Sequence, residues 1–165
     1  MSKEILHCPY CGAELVFEDH VNRHRKLAGG KKQWFSIERC RCPAGCGLHR
    51  ILPDFLAPYK HYDMDIITGV LNGNITPDTP PFEDYPCEKT MERWQSWLLF
   101  NMIFINGYLK SVGIRLFAMG IALAYSISNL VEDLKQRDRR RWMKNIIRAV
   151  YNTGGSLEPY RDPSG

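Results

Sequence analysis

A chain of 165 residues with a net charge of +4, 44% hydrophobic side chains and six cysteines has room for one compact domain, or for a small metal-nucleated module beside a helical one. Larger multidomain architectures are excluded. The first twenty residues carry Lys3, Glu4, Glu14, Glu18 and Asp19 with no apolar run, so no signal peptide is expected and the reducing cytoplasm is the default compartment. There, six cysteines read as thiolate ligands or reduced thiols rather than as a disulfide framework.

In chain order, the first signal is "HCPYCG", residues 7 to 12, and its counterpart is "RCRCPAGCGLH", residues 39 to 49. Cys8 and Cys11 form a C-x2-C, Cys42 and Cys46 a C-x3-C, and Cys11 and Cys46 are each followed directly by glycine. Four thiolates converging on one ion at about 2.3 Å suit tetrahedral zinc, and tight knuckles present sulfurs and backbone amides together. Glycine accepts the positive φ that such knuckles need. Between the knuckles, residues 13–19 and 32–39 have strand composition, and "LAGGKK" (27–32) is a Gly-Gly turn. The outline is a zinc ribbon with Cys8, Cys11, Cys42 and Cys46 as ligands to a structural Zn2+. Cys40 is the alternate for Cys42, and His49 the alternate for Cys46. A thioredoxin-like pair would need its C-x-x-C to open a helix, whereas a strand pattern follows here. Cys87 stands apart as a half-buried thiol at a helix start.

The net charge conceals a division. Residues 20–50 hold eight Lys/Arg (Arg23, Arg25, Lys26, Lys31, Lys32, Arg39, Arg41, Arg50) against Glu38, and residues 135–148 hold seven against Asp138. The span 51–134 has five basic residues and ten acidic ones. Two basic patches flanking an acidic middle can neutralise backbone phosphates, which makes DNA the expected partner. The alternatives are an ordinary polar hairpin and a solvated helix face.

Further along, Asp63 and Gly73 bracket a short helix over 63–73, and the four prolines of 74–86 mark a linker. A helix begins near Glu88. Met91, Trp94, Leu98, Met102 and Ile105 form its core-facing stripe, while Lys89, Arg93 and Ser96 occupy the other side of its first turns. Such a helix can act as the recognition helix of a helix-turn-helix or simply pack. Two more helices are expected, over 114–134 and 137–152, the latter burying Trp142, Met143, Ile146, Ile147 and Val150 and carrying Arg139, Arg140, Arg141 and Lys144 on its basic side. The uncharged run from Leu116 to Val131 is too short to cross a membrane. Apolar helices over 94–131 instead suggest a dimer interface or a docking surface for a larger protein. The expected organisation is a ribbon (1–52), a Pro-rich connection with one short helix (53–86), a helical domain (87–152) and a disordered tail (153–165). Its fold class is small α+β: a zinc-ribbon β-hairpin, then a mostly α-helical, helix-turn-helix-like domain.

The succession "CPYCG", a basic hairpin, "CRCPAGCGLHRILPDFLAPYKHY" and "CEKTMERWQSWL" resembles short bacterial proteins of Firmicutes and their mobile elements. These in turn look like the zinc-ribbon and helix-turn-helix front ends of insertion-sequence transposases. The resemblance spans roughly residues 7–110 and is most specific in "HRILPDFLAPYKHY" and in the stretch from Thr90 to Trp97. It implies zinc binding by the knuckle cysteines and DNA binding by the helices, with no recorded chemistry. The longer second knuckle and the extra Cys40 depart from that pattern. A complete transposase would need three carboxylates on a ribonuclease-H-like sheet, and Glu88, Glu92, Glu132 and Asp133 lie in helical sequence. The expectation is a non-catalytic protein.

Overall fold

The computed structural model describes residues 5–116 and 129–159, with side chains as far as Val112 in the first stretch. An N-terminal antiparallel sheet has the order β1 (Val16–Lys26), β2 (Lys32–Cys42), β3 (Gly47–Arg50). Four helices follow among the described residues: α1 (Met64–Leu71), α2 (Glu88–Leu116), α3 (Leu130–Arg137) and α4 (Trp142–Asn152). The small α+β class is as expected. The expected hairpin, however, is three-stranded: β3 pairs with β2 from Arg39↔Arg50 to Cys42↔Gly47. β1 also continues through "HVNRHRK", well past the expected end at residue 19. The turn at Gly29 and Gly30 has φ +67° and +76°, which is why two glycines stand there.

The sheet is thin in apolar terms. Ile37, Cys40 and Cys42 are the buried residues of β2, and β1 and β3 have none. The main hydrophobic core begins at Ala57 and is built from α1, α2, α3 and α4, with Ile105, Trp142, Met143, Ile146 and Val150 fully enclosed. All five stripe residues of α2 face this core, Met102 partly. The five apolar residues expected inward on the last helix are buried as well. The Trp142 Nε1 donates to Asn72 Oδ1 at 2.9 Å, and Asn72 Nδ2 donates to the Arg139 carbonyl at 2.6 Å, which ties the end of α1 to the turn before α4.

Sheet and helices are joined through the connection. The Lys26 amide donates to the His61 carbonyl and the Asp63 amide to the Lys26 carbonyl. Arg25 is the clasp: its Nη1 donates to Asp63 Oδ2 at 2.5 Å, its Nε donates to Gln33, and its guanidinium lies 4.3 Å from the Phe55 ring centre. Asp63 is buried and also caps α1, accepting from the Asp65 amide. Removing the cation would leave a buried carboxylate unpaired. Arg25→Met is therefore expected to destabilise the protein by roughly 3 kcal/mol, read as a lowered urea midpoint with an unchanged slope. A change within a few tenths of a kcal/mol would show that the clasp is dispensable.

Three boundaries differ from expectation. The helix expected over 137–152 starts only at Trp142; Asp138 Oδ1 accepts from the Arg140 and Arg141 amides and breaks the chain into a turn. Arg139, Arg140 and Arg141 thus sit in a turn rather than on a helix face. The tail expected to be disordered is docked over 153–158: Asn101 Nδ2 donates to the Glu158 carbonyl, the Glu158 amide returns a bond to Asn101 Oδ1, and Leu157 is buried. Gly154 (φ +84°) packs so closely on the first knuckle that a Cβ there would lie 2.9 Å from the Pro9 carbonyl oxygen. The helix expected over 114–134 is described only in part: its residues 114–116 close α2, α3 supplies its end, and 117–128 lie outside the described residues, as do 160–165. No described helix is long and apolar enough to cross a membrane.

Candidate metal centre and basic surfaces

The two knuckles meet at one end of the sheet. The first is a tight turn in which the Gly12 amide donates to the Cys8 carbonyl at 2.8 Å with Gly12 at φ +75°. The second is the β2–β3 hairpin turn, with Cys42 closing β2, Cys46 just before β3, and Gly45 and Gly47 at φ +87° and +101°. The extra residue of the C-x3-C is accommodated by that turn, where the Gly45 amide donates to the Cys42 carbonyl at 3.1 Å. The sulfurs of Cys8, Cys11, Cys42 and Cys46 all lie within 4.8 Å of one another. A tetrahedral ion bonded at about 2.3 Å requires sulfur–sulfur edges of about 3.8 Å; the Cys11 and Cys42 sulfurs are 3.5 Å apart. These four residues can hold one metal ion.

Electrostatics fit that use. The Cys46 backbone amide, aided by contacts with Cys11 and by the Ala44 amide, holds the Cys42 thiol down to about 7. The contacts with Cys11 and Cys42 push the Cys46 thiol up to about 12. Four thiolates crowded together repel, so a bound cation is what would let all four ionise.

The two alternates lie outside the cluster of four. Cys40 is buried within β2, opposite Phe17 on one side and His49 on the other. His49 places Nε2 3.5 Å from the Cys8 sulfur, in reach to donate a hydrogen bond to its thiolate. Such an outer contact orients a ligand and tunes its basicity. His49→Ala should leave one metal ion per chain but weaken its retention about tenfold to hundredfold in a chelator competition; complete loss of metal would make His49 a ligand. Cys87 is exposed, with its sulfur 3.2 Å from the Thr90 hydroxyl, rather than half-buried.

The residues expected to contact nucleic acid divide into engaged and outward-facing groups. Arg23 donates to the Ala57 and Lys60 carbonyls, Arg25 is the clasp to Asp63, and the Lys26 ammonium lies over the Tyr62 and Tyr85 rings. Arg41 forks onto Glu18 at 2.8 and 2.6 Å, and Arg39 makes the same two-pronged contact with Asp19. The Arg39 guanidinium holds the Asp19 carboxyl below the usual carboxylate range, and Arg41 does so for Glu18. Lys144 pairs with Asp65 at 2.9 Å. By contrast, Lys31, Lys32, Lys89, Arg93, Arg139, Arg140 and Arg141 are exposed. About half of the predicted basic residues are thus held by partners within the fold, and the others face solvent. Sequence reasoning passed over Glu18 and Asp19 as partners because both precede the basic window by one or two residues; the strand register sets Asp19 opposite Arg39, and the irregularity between Phe17 and Asp19 leaves Glu18 unpaired in the ladder while its side chain meets Arg41.

No curated protein and no solved structure matches the chain. A family model described as a domain of unknown function, DUF6431, matches residues 8–94, from the first metal-centre cysteine through the sheet, the Arg25 clasp and α1 to the second turn of α2. The chain belongs to that family.

Proposed function

We propose that the protein is a zinc-stabilised, non-catalytic DNA-binding accessory or regulatory protein of a mobile genetic element, acting in the cytoplasm. Four thiolates form a closed donor set with no open position, which suits a structural zinc ion and not a catalytic one. Thiolate ligands suit a reducing compartment. The resemblance to transposase front ends is the ground for the mobile-element role.

The observation that carries the DNA reading is the arrangement of α3 and α4. Residues 138–141 join them, the three- to four-residue connection of a helix-turn-helix. The connection from α1 to α2, residues 72–87, is far longer. Asn145, Arg148 and Asn152 share the exposed side of α4, and Arg139, Arg140 and Arg141 are exposed at its N-terminus. Arginine and asparagine pair with guanine and adenine edges, while a run of exposed guanidiniums meets phosphates. The recognition element is thus α4 in preference to α2.

Fluorescence anisotropy of the metal-loaded protein with random duplex DNA at several salt concentrations tests this. Binding that weakens with salt at a log–log slope of about −3 or steeper supports it. No binding at low salt would refute it.

A second reading is a module that docks on a larger nucleic-acid enzyme. It is favoured by one apolar face of α2, where Leu99, Phe100, Ile103 and Phe104 are 71%, 61%, 88% and 45% exposed. Tight association with a protein partner after nuclease treatment would favour this reading.

A further inference from the structure

The stretches "APYKHY" and Thr90 to Trp97 supply core residues, Trp94 and Trp97 among them, and also meet at the surface. In the folded protein they line one cleft of about 700 Å³, together with Lys26, Tyr151 and the docked tail. That volume is typical of small-molecule sites.

Its chemistry is unusual for mere packing. Lys60 is half-buried, and its ammonium lies 4.2 Å from the Trp97 ring centre. Burial lowers its pKa to about 8, and no carboxylate pairs with it among the described residues. Lys26 and Arg93 add two further cations to the lining, against one acid, Glu158. Lys60 and Lys26 are half-buried and Arg93 is exposed; three cations lining one cleft with a single acid favour an anion. Tyr59, which lines this cleft and the neighbouring one, holds φ +60°, the one non-glycine residue with positive φ among those described, and is 85% exposed. An exposed aromatic residue held in a sparsely populated backbone conformation at the cleft can stack on a planar group. The far rim is fixed by the reciprocal bonds between Asn101 and the Glu158 backbone, both 3.0 Å.

We propose that this cleft binds a nucleoside 5′-phosphate, free or at the phosphorylated end of a strand, with Lys60, Lys26 and Arg93 on the phosphate and Tyr59 stacked on the base. It rests on observations separate from those for duplex binding by α4, and either can fail alone.

Isothermal titration of the full chain with adenosine monophosphate, adenosine and inorganic phosphate is the test. The nucleotide should bind at least roughly tenfold more tightly than the nucleoside, which lacks the charged group, and more tightly than phosphate, which lacks the ring. Lys60→Met keeps an unbranched apolar chain over Trp97 and should weaken nucleotide binding at least roughly tenfold while leaving adenosine unchanged. Should that variant fold poorly, Arg93→Gln at the exposed rim gives the same discrimination. A short strand with a 5′-phosphate binding more tightly than both its 5′-hydroxyl form and the free nucleotide would identify the strand end as the source; the reverse order would identify the free nucleotide. Equal affinity for nucleotide and nucleoside, equal affinity for nucleotide and inorganic phosphate, no detectable nucleotide binding, or unaltered binding by the variants would each overturn the assignment.

Discussion

Cys42→Ser is expected to unfold the N-terminal sheet while leaving the helical core folded. The main core contains no residue before Ala57, and β1 and β3 have half-buried residues but no buried one, so the sheet has little hydrophobic stabilisation of its own. Besides its hydrogen bonds and the Arg23 and Arg25 contacts to the helical part, a metal bound by the four cysteines is the stabilising element expected at its far end. Structural zinc in small domains contributes roughly 10 kcal/mol or more to folding at neutral pH, far above the few kcal/mol that a clasp supplies. Loss of one of the four sulfurs, or chelation of the wild type, should collapse the amide NMR dispersion of residues 8–50. The resonances of α4 around Trp142, which is fully enclosed, should persist. A sheet that survives both treatments would show that the metal contributes nothing to its fold. Acid acts in the same direction as chelation. Metal binding releases the thiol protons, so retention falls as pH falls and protons compete for sulfur.

The second large effect concerns the turn between α3 and α4. Replacing Arg139, Arg140 and Arg141 together with glutamine should flatten the salt dependence of duplex binding by about 2.7 in log–log slope, near 0.9 for each phosphate that is no longer neutralised. At 0.1 M salt that corresponds to a fall of roughly two to three orders of magnitude in affinity. Stability should change little, because all three side chains are exposed. Replacing Lys89 and Arg93 on α2 is the matched control and should change the slope by much less. If the control variant abolished the binding and the triple variant kept it, recognition would lie on α2.

The metal centre was legible in sequence because each half of a four-cysteine site is local: two sulfurs and a glycine within a few residues announce a knuckle without knowledge of the fold. The core faces of α2 and α4 were legible for a similar reason, since a helical stripe repeats every three to four residues. What escaped depends on distant partners. β3 is four residues long, too short for an alternation pattern, and exists because the second knuckle turns the chain back onto β2. The neutralisation of Arg25, Arg39 and Arg41 needs the strand register and the approach of Asp63, which no charge count along the chain supplies. Asn101 lies in an apolar stretch of α2, and its partner is the backbone of Glu158 in a tail whose composition suggested disorder. Leu157, the apolar residue that anchors that tail, was the one signal available there. The break at Asp138 could have been read, because an aspartate four residues before Trp142 can bond the following backbone amides and start a turn in place of a helix.

The claim on which the account turns is that Cys8, Cys11, Cys42 and Cys46 hold one zinc ion without Cys40 or His49 as a ligand. Metal analysis of the purified wild type, Cys46→Ser, Cys40→Ser and His49→Ala proteins tests it most directly. One zinc per chain is predicted for the wild type, Cys40→Ser and His49→Ala, with loss of stoichiometric zinc in Cys46→Ser. A wild type without stoichiometric zinc, or a Cys40→Ser protein that loses its metal while Cys46→Ser retains it, would contradict the account.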